Sequence, residues 1–200
     1  MTQKREVYLD HASTTPVDSR VLTKMQPYFR DHFGNPSAIY KVGRDMREAI
    51  DDSRDAVAKI FGCVAEEIIF TGSGTESDNL AVLGAARVYR RQKETWNHVI
   101  TSAIEHHAVL EACNHLEKKE GFRVTRLKPD EYGHVSAKQV CDALTEETVV
   151  VSIMYANNEI GTIQPIAKIG KMIRLLRGEA RQKILFHTDA CQAPLYLNCL

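Results

Sequence analysis

Residues 148–161 read TVVVSIMYANNEIG, and the first seven of them decide the fold. Thr148 to Met154 is mostly β-branched with almost no polar interruption, the composition of a strand buried on both faces of a parallel sheet. Similar short runs occur at EIIFT (67–71), HVITS (98–102), FRVTRL (122–127) and KILFHTD (183–189). Between them the apolar spacing turns helical: Leu80, Leu83 and Val88 mark one helix, Val109, Cys113 and Leu116 a second, Ile166, Ile169 and Ile173 a third. This β-α-β order predicts a doubly wound α/β domain, a mainly parallel sheet flanked by helices. Ahead of it, VDSRVLTKMQPYF (17–29) and GRDMREAIDDSRDAVAKIFG (43–62) read as two helices, the second with Val42, Met46, Ile50, Val57 and Phe61 near one face. RRQKETWNH (90–98) reads as a solvated connection, and no repeat, low-complexity stretch or linker divides residues 1–200.

Composition narrows the function classes. Lys plus Arg and Asp plus Glu both number 26, so the formal net charge is zero, and no basic surface for nucleic acid is expected. The partner is then a small molecule or a protein. Five cysteines, at 63, 113, 141, 191 and 199, are odd in number and never in a C-x-x-C pair. That argues against a disulfide framework or zinc site and for a reducing compartment. The N-terminal stretch has no apolar core of signal-peptide length, and no run approaches membrane-spanning length, so a cytoplasmic location away from membranes is the expectation.

Ligands of open α/β sheets bind beyond the carboxyl ends of the strands. Four of the five candidate strands discharge polar clusters there: Gly72-Ser73-Gly74-Thr75 and the residues to Asn79, then Glu105-His106-His107, then Tyr155 to Glu159, then His187, Asp189 and Gln192. Gly74 and Thr75 open a helix whose free N–H groups and positive dipole end suit a phosphate, although an ordinary capped turn has the same composition. His106 follows a strand end, where a helix-capping histidine is the plain alternative. His107 reads as structural, and His98, His115 and His134 as surface residues; none has metal-ligand spacing. Asn157 and Asn158 fit turn chemistry as well as a site. Asp189, following the apolar run Ile184 to Phe186, would be a carboxylate at the bottom of a crevice and needs a charge partner. A protonated ring nitrogen would serve, each unit by which the acid raises its pKa corresponding to about 1.4 kcal/mol. Phosphate cradle, histidine, asparagine, aspartate and the nearby Gln192 together describe a site for pyridoxal 5'-phosphate.

The strings YLDHASTTP, FGNPSAIYKVGR, IIFTGSGTESDNLA, ITSAIEHHAVL, VSIMYANNEIGTIQPI and HTDACQA, in that order, resemble the motifs of cysteine desulfurases, pyridoxal-phosphate enzymes of the aminotransferase class V group. The resemblance runs from about Val7 to the end of the sequence. It implies the aspartate-aminotransferase-like fold type I, with residues 1–200 as an N-terminal segment and most of the large cofactor domain, and the closing strands and C-terminal small domain absent. It implies that Gly74 and Thr75 hold the phosphate and that His106 stacks on the ring and serves as the catalytic proton-transfer residue. It places Asn158 near the phenolic oxygen and the substrate carboxylate, pairs Asp189 with the ring nitrogen, and makes Gln192 a donor to the phenolic oxygen. The implied reaction takes sulfur from L-cysteine, releases alanine and leaves a persulfide for an iron–sulfur scaffold protein or for tRNA thiolation, in a homodimer.

The sequence also departs from that family. The cofactor-linking lysine belongs to a Ser-x-His-Lys segment that does not occur here; the last lysine, Lys183, matches nothing catalytic. The persulfide-bearing cysteine has no counterpart among the five, Cys191 occupying the variable position of Asp-Ala-x-Gln and Cys113 fitting a packing role. Tyr40 stands where many desulfurases carry His, and Gly72-Ser73 reverses the commoner order. The 200 residues alone are therefore expected to be inactive and poorly soluble without a partner. Two further readings remain: a selenocysteine lyase or other class V lyase, and a non-catalytic half-protein acting as binding partner or scaffold.

Overall fold

The computed structural model describes residues 5–179 and 184–197; Lys183 and Cys199 lie outside them. The described residues form two compact units, one within 5–70 and the other within 71–197.

The first unit is helical. Helix α1 (Ser19–Met25) is started by Asp18, whose carboxylate accepts from Arg20 N at 2.8 Å, and passes into a 3-10 turn containing Pro27. Helix α2 (Lys41–Phe61) ends at Gly62, where φ of +61° requires a residue without a Cβ. Val42, Ile50 and Phe61 of α2 all remain exposed, and the helix buries only Gly43 and Ala58. Residues 67–71, expected as a strand, form the end of a 3-10 turn and an unpaired extended segment. A strand needs a ladder partner, but the Ile68 carbonyl is taken by the Arg54 guanidinium at 2.6 Å, and Arg54 lies 4.8 Å over the Phe70 ring.

The second unit is the α/β domain. Helix α3 (Gly74–Gln92) leads to strand β1 (His98–Ser102), helix α4 (His107–Glu120), strand β2 (Arg123–Leu127), helix α5 (Ala137–Ala143), strand β3 (Thr148–Ser152), helix α6 (Ile166–Glu179) and strand β4 (Leu185–His187). All pairings are parallel, in the order β2-β1-β3-β4. One face packs on α3 and α4 through Val82, Ala86, Val109, Cys113 and Leu116; the other packs on α5 and α6 through Val140, Ile169 and Ile173, joined by Val135 from the loop before α5. Neighbouring strand residues serve opposite faces, Val99 one and Ile100 the other. In β3 the alternation is broken: Thr148 pairs with His98 and Val150 with Val99, so Val149 is an extra residue and joins Val150 on the α3–α4 side.

Several expectations change here. On α3, Leu80 and Val88 are exposed; the buried line is Asp78, Val82 and Ala86, because a carboxylate occupies the inward position that an apolar count skips. Helix α5 was not expected; its Ala/Val pattern is too short to declare a period. The 90–98 connection is helical to Gln92, and Trp96 packs on the core beside Tyr89. His98 is 1% exposed rather than at the surface, its two ring nitrogens 2.8 Å from Thr148 Oγ1 and Thr125 Oγ1, so it ties three strands together. Burial pushes its imidazole down to about 4.

Because β1 sends the chain to β2 on one side and β3 sends it to β4 on the other, the order reverses between β1 and β3. That is the switch point at which open α/β sheets place ligands.

Candidate functional site

The site assembles at the carboxyl ends of β1, β3 and β4 and the start of α3, wholly within the second unit. At α3, Ser73 caps the helix by accepting from Glu76 N at 3.2 Å, and Glu76 reaches back to accept from Gly72 N at 2.6 Å. Thr71 Oγ1 donates to the Ser73 carbonyl and lies 2.6 Å from Ser77 Oγ. These bonds leave the N–H groups of Gly74 and Thr75 without an acceptor among the described residues, and Thr75 is exposed. A Cβ on Gly74 would stand 2.4 Å from Cys191 Sγ, so glycine is what lets the turn after β4 approach this helix end.

Beyond β1 the chain turns on Glu105. Ser102 Oγ donates to Glu105 Oε1 at 2.5 Å and Met154 N donates to the same oxygen at 2.9 Å, joining the ends of β1 and β3. Its Oε2 is buried without a partner among the described residues, and burial pushes the carboxyl up to about 7. Next in the chain, His106 caps α4, its Nδ1 accepting from Ala108 N at 3.1 Å. Nδ1 is therefore the bare nitrogen of a neutral ring, and the proton sits on Nε2. His107 is exposed and has no part in the cluster.

Beyond β3, Asn157 Oδ1 accepts from Glu159 N and Ile160 N, and its Nδ2 donates to the Ile104 carbonyl at 3.0 Å. Asn157 thus shapes the turn and fastens it to the loop that carries His106, while Asn158 projects as an exposed residue. Tyr155 N donates to the Asp189 carbonyl at 2.8 Å, and Asp189 Oδ1 accepts from Cys191 N at 3.0 Å. Gln192, half-buried, follows in the same turn.

Asp78, His106 and Asp189 each bring one ligating atom within 4.8 Å of the others. The structure therefore brings His106 and Asp189 together and sets Gly74 against the turn that follows Asp189, while Thr75 and Asn158 stand at the exposed rim. Sequence reading missed Asp78 and Glu105. The signal for Asp78 was its position four residues after Gly74, one turn along the same helix face. Glu105 stood out only as a polar residue after a strand, since its partners Ser102 and Met154 converge only through the sheet.

The cysteines have settled surroundings. Cys63, Cys113, Cys141 and Cys191 are free thiols. Burial pushes Cys113 up to about 12, and burial together with the Asp189 carboxylate does the same to Cys191, so neither is a ready thiolate. No helix among the described residues is long and apolar enough to cross a membrane.

The family model for aminotransferase class V matches residues 7–197. A protein of Bacillus subtilis (strain 168) named putative cysteine desulfurase IscS 1 is 49% identical over 187 residues, 94% of this chain and 47% of that protein. The cysteine desulfurase IscS of Dictyoglomus turgidum is 47% identical over 189 residues, covering 94% of this chain and 45% of its own length. Among solved structures, a NifS-like protein superposes with a TM-score of 0.82 at 35% identity, over 92% of this chain and 48% of that one. A chain described as SspA in complex with cysteine does so with a TM-score of 0.82 at 40% identity, over 93% of this chain and 51% of its own. The chain spans about half the length of the curated relatives it matches. With its parallel sheet shared with NifS-like structures and nearly all its length inside one family model, the chain belongs to the aminotransferase class V family.

Proposed function

We propose that this chain is the N-terminal segment and most of the cofactor-binding large domain of a pyridoxal-phosphate-dependent cysteine desulfurase. The observation that carries the reading is the convergence of His106 and Asp189 at the sheet's switch point, in the unit whose α3 start leaves the Gly74 and Thr75 N–H groups without acceptors among the described residues. This donor set fits the cofactor chemically. Gly74 and Thr75 offer two N–H groups and a hydroxyl to a phosphate, and the absence of a Cβ at Gly74 makes room for Cys191 Sγ beside them. Asp189 is the acid to hold a proton on a pyridine nitrogen. Gln192 is a donor to a phenolic oxygen, and Asn158 an amide for that oxygen and for a substrate carboxylate.

When bound, the cofactor supplies an electron-accepting ring that stabilises negative charge next to the substrate amino group. The chain's own residues bind, orient and move protons. His106, its Nδ1 engaged by Ala108 N–H, has Nε2 as the atom at which a proton is gained or lost during the reaction. Glu105 and Asn157 hold the loop around His106 to the end of β3, which limits the histidine's wandering between proton positions. In the net reaction the carbon–sulfur bond of L-cysteine breaks, its sulfur joins an enzyme thiol as a persulfide, and L-alanine leaves. The persulfide then passes to a sulfur acceptor, with the protein working as a homodimer in the cytoplasm; the free thiols favour a reducing compartment.

The test uses the full-length protein with pyridoxal 5'-phosphate, L-cysteine and a thiol reductant, measuring alanine and sulfide. Equal yields of both are expected, and Asp189→Ala should slow turnover about a hundredfold or more. Preference for L-selenocysteine over L-cysteine would move the assignment to a selenocysteine lyase. Cofactor binding with neither substrate turned over would support a non-catalytic half-protein.

A further inference from the structure

Asp78 is 3% exposed, yet it sits on the inward face of α3 one turn from Gly74. A carboxylate in that position is expensive unless it finds a charge or a donor. His187 Nε2 lies 3.5 Å from Asp78 Oδ1, and His187 Nδ1 lies 2.8 Å from Ser152 Oγ. An acid of α3, an imidazole of β4 and a hydroxyl of β3 therefore form one line through the floor of the site. Among the described residues, the Asp78–His187 contact is the one polar side-chain link between α3 and β4.

Its position matters because of what the two elements carry. Four residues before Asp78, α3 begins with Gly74 and Thr75, the phosphate-binding groups of the proposed function. Two residues after His187 stands Asp189, the proposed partner of the ring nitrogen. The backbone on the β4 side is already held to β3, with Ile153 N donating to the His187 carbonyl and Tyr155 N to the Asp189 carbonyl. The polar coupling of that strand end to α3 comes from Asp78. The pair also has an electrostatic consequence: an Asp78 oxygen lies within 4.8 Å of ligating atoms of both Asp189 and His106, so two carboxylates compete for one ring nitrogen. His187 gives Asp78 a partner of its own and leaves Asp189 to meet the ring.

We propose that Asp78 and His187 are positioning residues for the cofactor: their pair sets the phosphate-binding start of α3 in register with Asp189 and keeps Asp78 from acting as a second ring-pairing acid. The inference rests on the cofactor reading above. A rigid cofactor held at its phosphate and at its ring nitrogen is sensitive to the spacing of its two anchors, so loosening the link between them weakens both contacts at once.

The experiment uses the full-length protein, freed of cofactor and titrated with pyridoxal 5'-phosphate, for the wild type, Asp78→Asn, His187→Gln and the double variant. Expected are a loss of affinity of about tenfold for each single variant, a double variant no weaker than the worse single, and a displaced absorbance maximum of the bound cofactor. A merely structural pair would lower the melting temperature of the cofactor-free protein without moving that maximum, and this result would overturn the proposal. Losses that multiply in the double variant would overturn it as well. If Asp78→Asn does not fold, His187→Gln and His187→Asn carry the affinity and absorbance comparison, since the His187 side chain is 13% exposed against 5% for Asp78. Normal wild-type binding with unaffected variants sinks this inference alone, whereas a wild type that binds no cofactor sinks the reading beneath it.

Discussion

The two units of this chain handle their apolar residues in opposite ways. In the unit from Thr71 onward, every residue of β1 and β3 is buried, and two apolar clusters fill both faces of the sheet. In residues 5–70, Leu9, Phe29, Phe33, Ile39 and Ile60 are all exposed, and the 21-residue α2 buries no large side chain. Both regions contain enough hydrophobic sequence for a core. What differs is geometry: a parallel sheet presents two faces to helices that cross back over it, while a helix with an apolar stripe has nothing to bury until another surface meets it. A stripe that a sequence shows clearly is therefore no measure of the stability it supplies.

Truncating side chains on either side of this contrast should expose it. Leu116→Ala, which empties a fully buried site between α4 and the sheet, is expected to cost roughly 2–5 kcal/mol in denaturant unfolding. Ile60→Ala, at a residue 63% exposed, should stay within about 0.5 kcal/mol in the same assay. Equal losses at the two positions would erase the distinction between the units.

Buried ionisable groups of the second unit sharpen it through pH. Burial holds the His98 imidazole down at about 4 in the fold, against 6.5 for a free side chain, so between those values the unfolded chain binds more protons. Its contribution to stability is full above about pH 6.5 and is lost as the pH falls toward 4, a change on the order of 3 kcal/mol. Glu105 runs the other way: with a carboxyl at about 7 instead of 4.5, the folded chain holds the extra proton. Its stabilisation is full below about pH 4.5 and fades as the pH rises through 7. Denaturant melts of His98→Asn and Glu105→Gln across pH 4 to 8 should each remove one of these opposed slopes. An unchanged profile in either variant would deny that residue its role. The smallest effect belongs to the first unit, where Asp45→Ala removes the exposed pairing with Lys41 on α2; a loss of about 0.3–0.5 kcal/mol at most is expected, vanishing in high salt.

Four strands were legible because the β-branched runs of β1, β2 and β3 and the apolar run leading into β4 need only local composition to be recognised, and the helical faces of α4 and α6 followed from spacing. Residues 67–71 have the same composition and form no strand, since a ladder depends on a neighbour that local composition does not specify. The candidate site was legible in part for a related reason. Glycines and polar residues after apolar runs mark strand ends, which led to Gly74, His106, Asn158 and Asp189. Asp78 went unread because a buried carboxylate on a helix face counts against that face in any hydrophobic tally. His98 looked like a surface residue because its partners, Thr125 and Thr148, are 27 and 50 positions away.

By itself the sequence determined the element types, the parallel sheet and the clustering of polar residues at one edge, because strand composition, helical period and turn chemistry act over a few residues. Only the tertiary structure decided which of those polar residues meet. The placing of Asp78 beside His187, of Glu105 between Ser102 and Met154, and of His106 near Asp189 depends on strand order and on the packing of α3 against the sheet, which sum contacts across the whole domain.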